Sequence, residues 1–172
     1  MKVSYYPSDD NEMWTDEVEK ILPYCDGVGV DIGCGGRSPV EGQVRVDLDK
    51  DCQPDHIADA GKLPFTTSKF DYLTASHCLE HLKNQRTALK EWVRVVKPGG
   101  YILIIVPDRE WTANRGCGLQ EPCGKMLMMH KQEYNLAEFL DVLSENQDLG
   151  YRILDSGIAR DEWSNYAVLR KK

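Results

Sequence analysis

Apolar residues along this chain fall into short β-branched runs separated by stretches with three-and-four spacing, the pattern of strands alternating with helices. Runs of the first kind occupy 28–32, 44–46, 56–58, 70–75 and 101–106. Between the last two, Ala88, Leu89, Trp92, Val93 and Val96 recur at helical spacing and predict a helix over 84–96. Lys97-Pro-Gly-Gly100 should end it, because proline cannot continue a helix and the glycines permit a turn into Tyr101. An N-terminal helix is expected within 1–26, capped by Ser8 or Asp9 and stopped by Pro23. Its apolar face would be Trp14, Val18, Ile21 and Leu22, with Asp16, Glu17 and Glu19 outside.

The chain ends differently. A helix with Leu136, Phe139, Leu140 and Leu143 on one face precedes two runs, 151–158 and 165–169, separated by a short polar segment. A connection that short joins only antiparallel neighbours. The order predicts an α/β fold, a parallel sheet with right-handed crossovers that finishes in an antiparallel hairpin.

At 172 residues and 41% hydrophobic content the chain is read as one domain, 1–172. A net charge of −7 disfavours nucleic acid as a partner, since phosphate neutralisation needs a basic face. Six cysteines at irregular spacing, with no apolar leader before them, suit a reducing cytoplasm. No apolar stretch approaches the roughly 20 residues that span a bilayer, so no membrane association is expected. The pattern specifies no oligomeric state.

Candidate chemistry concentrates in VGVDIGCGG (28–36) and VRVD (44–47). Gly33, Gly35 and Gly36 allow a sharp turn and leave no Cβ between the chain and a ligand on the strand's carboxyl end. Ser38 stands where a dinucleotide fingerprint would place its third glycine, so a pyrophosphate site is disfavoured. Asp31, just before the turn, would repel a pyrophosphate but attract an ammonium or sulfonium group. Asp47 closes the next run, the position from which a carboxylate accepts both hydroxyls of a ribose. The plainer alternative is a glycine turn between buried strands with solvated carboxylates.

Further motifs extend the list: IADAGKLPF (57–65), FDYLTASHCLEHL (70–82) and EWVRVVKPGGYILIIVPD (91–108). With VDIGCGG (30–36) and VRVDLD (44–49), they make the chain resemble a class I S-adenosylmethionine-dependent methyltransferase of the methyltransferase-11 type. Within that superfamily it is similar to a compact group whose first crossover is shortened, since only 37–43 join the first two strands. The resemblance implies a Rossmann-like, mostly parallel seven-stranded sheet with a reversed last strand. It also implies S-adenosyl-L-methionine as cofactor and a small-molecule or saccharide-like acceptor. Asp31, Gly33 and Gly35, with Cys34 between them, would meet the methionyl part. Asp47 and Leu48 would meet the ribose side, Asp59 and Ala60 the adenine edge, and Ser76 with His77 the end of the fourth strand. Asp59 has a competing reading as a turn carboxylate capping Gly61.

On this reading 28–106 is the cofactor-binding core, 108–131 an acceptor lid and 132–172 the closing helix and hairpin. The lid holds Trp111, Asn114, Arg115, Met126, Met128, Met129 and His130, and exceeds an ordinary connection in length. His77 and His130 are the candidate catalytic residues. His77 either shapes the pocket, acts as base near neutral pH, or merely packs the start of a helix. His77, Glu80 and His81 have H-x-x-E-H spacing, which shares one helical face, but in a cofactor fold no metal is assigned to it. Cys117-x5-Cys123 with His130 matches no common zinc spacing. Two other functions compete: a protein that binds S-adenosylmethionine or S-adenosylhomocysteine without transfer, and a nicotinamide oxidoreductase, which Asp31 and the missing glycine oppose.

Overall fold

A computed structural model describes residues 17–36, 38–110, 130–160 and 164–172. Seven strands form one sheet: β1 (Gly29–Ile32), β2 (Val44–Asp47), β3 (His56–Ile57), β4 (Phe70–Ser76), β5 (Val96–Pro107), β6 (Tyr151–Arg160) and β7 (Ser164–Lys171). Their order is β3-β2-β1-β4-β5-β7-β6. The β1–β2, β2–β3, β1–β4 and β4–β5 pairs are parallel, and β7 runs antiparallel to both β5 and β6. Strand order reverses between β1 and β4, so their carboxyl ends diverge into the crevice where ligands sit in open α/β sheets. Among the described residues no helix is long and apolar enough to cross a membrane.

Both faces of the sheet are covered, which is why β1 and most of β4 and β5 read as continuous apolar runs. Alternation along β5 divides the core. Ile102, Ile104 and Val106 face one cluster with Trp92 and Phe139, while Leu103 and Ile105 face another with Val18, Ile21 and Tyr166. The first face is packed by α1 (Gln85–Val95) and α2 (Leu136–Glu145). α1 buries Ala88, Leu89, Trp92, Val93 and Val95 and is capped by Asn84, whose side chain accepts from the Thr87 amide. α2 starts in a capping box, in which Asn135 and Glu138 each accept the other's backbone amide.

Several expectations shift. Lys97 to Gly100 do not precede β5 as a free turn. Val96 already pairs with Phe70 before the register resumes at Tyr72 and Tyr101, so the Lys-Pro-Gly-Gly segment loops out opposite Asp71. Gly99 takes a left-handed φ of 80° there, and Lys97 Nζ lies 2.7 Å from Asp71 Oδ1. Pro23 does not stop the chain's winding but sits in a 3-10 turn, Leu22–Tyr24. Glu17, expected outside, is fully buried because it accepts hydrogen bonds from Ser164 and His77. The caps Ser8 and Asp9, with Trp14 and Asp16, lie outside the described residues. The shortened first crossover is as expected: residues 38–43 contain a turn and no helix.

Gly29 stands opposite Tyr72, whose ring carbon Cζ would lie 2.1 Å from an added Cβ. Gly29→Ala should therefore destabilise the protein by about 1–3 kcal/mol through overpacking. A urea midpoint unchanged from wild type would show that the Tyr72 ring does not lie across β1.

Candidate functional site

The glycine turn after β1 directs its amides inward. Gly33 and Cys34 donate to the Val46 carbonyl at 2.9 and 3.1 Å, and Gly35 donates to Asp47 Oδ2 at 2.8 Å. A phosphate-binding loop does the reverse and aims successive N–H groups at the anion. The amides of 33–35 are spent within the protein and offer no such nest, which weighs against a pyrophosphate alongside the missing third glycine. Arg45 clamps it from below, its guanidinium donating to the carbonyls of Gly35, Cys52 and Gln53. Gly33 and Gly35 both have positive φ, 70° and 51°, but for different ends. A Cβ at Gly33 would meet Cys78 Sγ at 2.7 Å, so that glycine serves packing against the turn after β4. Gly35 fronts open space. Cys34 is buried, and burial pushes its thiol up to about 12, so it is inert.

Asp31 lies at the carboxyl end of β1, 1% exposed. Thr74 on β4 donates to its Oδ1 at 2.8 Å, and Gln43 donates to Thr74 Oγ1 at 2.8 Å while its carbonyl oxygen accepts from the Val40 amide. Oδ2 accepts no hydrogen bond of normal geometry among the described residues, although the Ser38 hydroxyl, itself unpartnered there, stands near enough to pull on the carboxyl. Burial raises the Asp31 pKa to about 7, against the pull of the Thr74 and Ser38 hydroxyls and the Arg45 charge. Ser76, at the end of β4, is buried and its hydroxyl likewise lacks a partner among the described residues. Two unsatisfied polar side chains therefore stand at neighbouring strand ends at the switch point.

Asp47 is held by backbone amides, with Gly35 N on Oδ2 and Asp49 N on Oδ1 at 2.9 Å. Each oxygen keeps a lone pair for a hydroxyl donor. Leu48 beside it is 54% exposed, and Ile57, in register with Asp47 across β2–β3, is 63% exposed. Both are large apolar side chains left open to solvent next to Asp47. Asp59 adopts the capping turn, Oδ1 accepting from Gly61 N at 2.7 Å, and the Ala60 carbonyl accepts from Trp92 Nε1 at 3.0 Å.

The turn after β4 assembles a second cluster. His77 has a left-handed φ of 51°, rare for a bulky residue, and its amide donates to the Ile105 carbonyl. Its Nε2 lies 3.1 Å from buried Glu17 and its Nδ1 3.7 Å from buried Glu80. Burial favours the neutral ring, yet the hydrogen bond and charge of Glu17, with Glu80, outweigh it and raise the pKa. Carboxylates facing both of its nitrogens favour the protonated imidazole and hold the ring in place. Burial lifts Glu80 to about 7. His130 is the opposite case, its pKa lowered by burial, and its ring packs edge-on against His81 at 4.9 Å. The H-x-x-E-H stretch does not form one α-helical face, because Leu79–His81 is a 3-10 turn. The remaining lid candidates, Trp111 to Met129 including Cys117 and Cys123, lie outside the described residues.

Sequence reasoning missed Gln43, Arg45, Thr74, Glu17 and Ile57. Thr74 carried a signal: it is the polar residue in the interior of a buried apolar run, and such a residue needs a partner.

The unsatisfied oxygen of Asp31, the hydroxyl of Ser76, the open side of Gly35 and the free lone pairs of Asp47 suit a cofactor with an ammonium group at one end and a ribose at the other. Comparison with known proteins agrees. The methyltransferase domain family matches residues 30–104. The ubiquinone/menaquinone biosynthesis C-methyltransferase of Laribacter hongkongensis is 30% identical over 122 residues, 67% of this chain and 50% of that protein. The chain thus spans about half the length of that curated relative. A protein from Pyrococcus horikoshii superposes with a TM-score of 0.69 at 17% identity, over 96% of this chain and 93% of the other. An S-adenosylmethionine-dependent methyltransferase from Aquifex aeolicus does so with a TM-score of 0.66 at 16% identity, over 95% and 94%. Residues 30–104 match the methyltransferase domain family and the fold is that of the solved methyltransferases, so the comparisons support a class I S-adenosylmethionine-dependent methyltransferase with S-adenosyl-L-methionine as its cofactor.

The raised pKa of Asp31 has a signed consequence. Between about 4 and about 7 the folded state holds a proton that the unfolded state has lost, so stability contributed by neutral Asp31 is present at low pH and lost as pH rises through 7. Asp31→Asn retains an acceptor for Thr74 and does not titrate. From pH 5 to 8 the wild type should lose stability relative to Asp31→Asn, by up to about 1.4 kcal/mol per pH unit within the window. Parallel urea midpoints at every pH would sink the assignment.

Proposed function

We propose that the protein transfers the methyl group of S-adenosylmethionine to a small-molecule acceptor bound over the carboxyl ends of β1 and β4. The observation that supports the reading is the set of buried polar groups without hydrogen bonds among the described residues, Asp31 Oδ2, Ser38 Oγ and Ser76 Oγ, beside a glycine turn whose amides at 33–35 are spent on Val46 and Asp47. A site built so favours a cation and disfavours a pyrophosphate. Asp31 would hold the ammonium, Asp47 the ribose hydroxyls, and Leu48 with Ile57 the apolar face of the base. When bound, the cofactor supplies a sulfonium-activated methyl group for in-line displacement. The protein's remaining tasks are to align the acceptor, exclude water and take up its proton.

His130 is the imidazole suited to that last task, being held neutral by burial, while His77 fixes the turn that carries Glu80 and His81. The name of the Laribacter relative, a ubiquinone/menaquinone biosynthesis C-methyltransferase, supports trying a quinone-type ring first as acceptor, with saccharides second. Residues 108–131 are proposed to cover the acceptor, within a single domain formed by 1–172.

Calorimetry with S-adenosylmethionine, S-adenosylhomocysteine and NAD tests the assignment. The adenosyl ligands should bind and NAD should not; NAD binding with neither of the others would overturn it. Asp47→Ala should weaken S-adenosylmethionine by about 1.5–3 kcal/mol, the loss of hydrogen bonds to a charged group. Binding near pH 7 should also release a proton from Asp31, seen as an enthalpy that varies with the buffer's ionisation heat and ceases to vary in Asp31→Asn. Labelled methyl appearing in a quinone-type acceptor pool would support transfer, and retention of all label on the cofactor across quinone-type and saccharide pools would count against it.

A further inference from the structure

We propose that Glu80, His81 and His130 form a binding site for a first-row divalent transition ion, zinc being the reference case, which ties the segment carrying His130 to the turn after β4. Each residue offers one ligand atom, and these atoms lie within 4.8 Å of one another. Glu80 is fully buried, and neither of its oxygens accepts a hydrogen bond among the described residues. Its neighbours are imidazoles, His77 Nδ1 and His81 Nε2 at 3.7 Å each, and the His77 ring is already engaged through Nε2 with Glu17. A carboxylate so enclosed is costly unless something else binds it. His130 Nδ1 is buried in the same condition.

The backbone builds the site. The Glu80 carbonyl accepts from the amides of Lys131 at 2.7 Å and Gln132 at 3.1 Å, so the residues that follow His130 dock it against the Glu80 turn. Two nitrogens and one carboxylate oxygen suit zinc and its neighbours, whereas magnesium and calcium prefer shells of oxygen. Tetrahedral zinc sets its ligand atoms roughly 3.3 Å apart, so binding would draw the three side chains together from separations of up to 4.8 Å. A fourth position remains open, as in catalytic zinc sites. With the ion bound His130 is a ligand and not the proton acceptor, so the two roles are alternatives; placing the open position beside the acceptor rests on the methyltransferase reading, whereas binding of the ion does not.

The full chain, stripped with a chelator, would be titrated with zinc chloride by calorimetry and with cobalt(II) followed by visible absorption. One equivalent should bind, raise the melting temperature and give a cobalt spectrum without thiolate charge-transfer bands. His130→Ala and Glu80→Gln should each lose more affinity than the roughly 10–100-fold typical of a supporting residue alone, and zinc should no longer raise their melting temperatures. Circular dichroism of each variant establishes that it is folded, and one folded variant suffices. Wild type without saturable binding, thiolate bands in the cobalt spectrum, or a folded variant binding as tightly as wild type would each overturn the site. S-adenosylmethionine affinity of the stripped protein, measured in parallel, reports on the methyltransferase reading separately, so either can fail alone.

Discussion

A carboxylate buried at the point where strand order reverses is the constraint on which the site depends. Asp31 is sealed from water between β1 and β4, has one oxygen tied to Thr74 and, among the described residues, leaves the other beside an equally unpartnered Ser38 hydroxyl. Burying such a group opposes folding, and the folded chain softens the cost by holding the acid near its neutral form. The Thr74 hydroxyl and the Gln43 amide then fix its orientation from the neighbouring strand and from the crossover. A group kept half-satisfied in the apolar core is poised for a cation that stabilises its ionised form.

The short crossover explains why the site is built from side chains. A full helix after the glycine turn would present its N-terminal amides and their positive dipole to the ligand. Residues 38–43 form no helix, so Gln43 and Arg45 take over as braces, one under Asp31 and one under the glycine turn. With the amides of 33–35 spent on β2 and on Asp47, the surface offered at this edge is acceptor-rich. Such a surface suits the positive charge and hydroxyl donors of an adenosyl amino acid.

Much of this was legible in the pattern of the chain. Short β-branched runs, helical spacing in α1 and α2, and the abbreviated polar link before β7 correspond to the sheet and its reversed strand, because those signals follow from burial on one or both faces. Individual partners were harder to read. Glu17 belongs by spacing to a polar helix face and is buried only because Ser164, far along the chain, and His77 meet it. Asp59 illustrates the converse, since the local Asx-type turn to Gly61 was foreseeable from sequence separation alone. The Lys97 to Gly100 segment sits between these cases: its turn chemistry was visible, but its register against Phe70 depends on a strand distant in sequence.

The cluster beyond β4 shows how charge couples the ends of the chain to this edge. Glu17 comes from the N-terminal segment, Ser164 from β7, and His77 and Glu80 from the turn after β4. The His77 ring makes its closer contact with Glu17, at 3.1 Å against 3.7 Å to Glu80. Glu80 is therefore the less well partnered of the two carboxyl groups, on the side where His81 and His130 stand. The backbone bonds from Lys131 and Gln132 hold the chain after His130 against that side. The carboxyl edge of the sheet thus carries two buried acids, Asp31 and Glu80, whose oxygens are left short of hydrogen bonds among the described residues and which burial pushes toward their neutral forms.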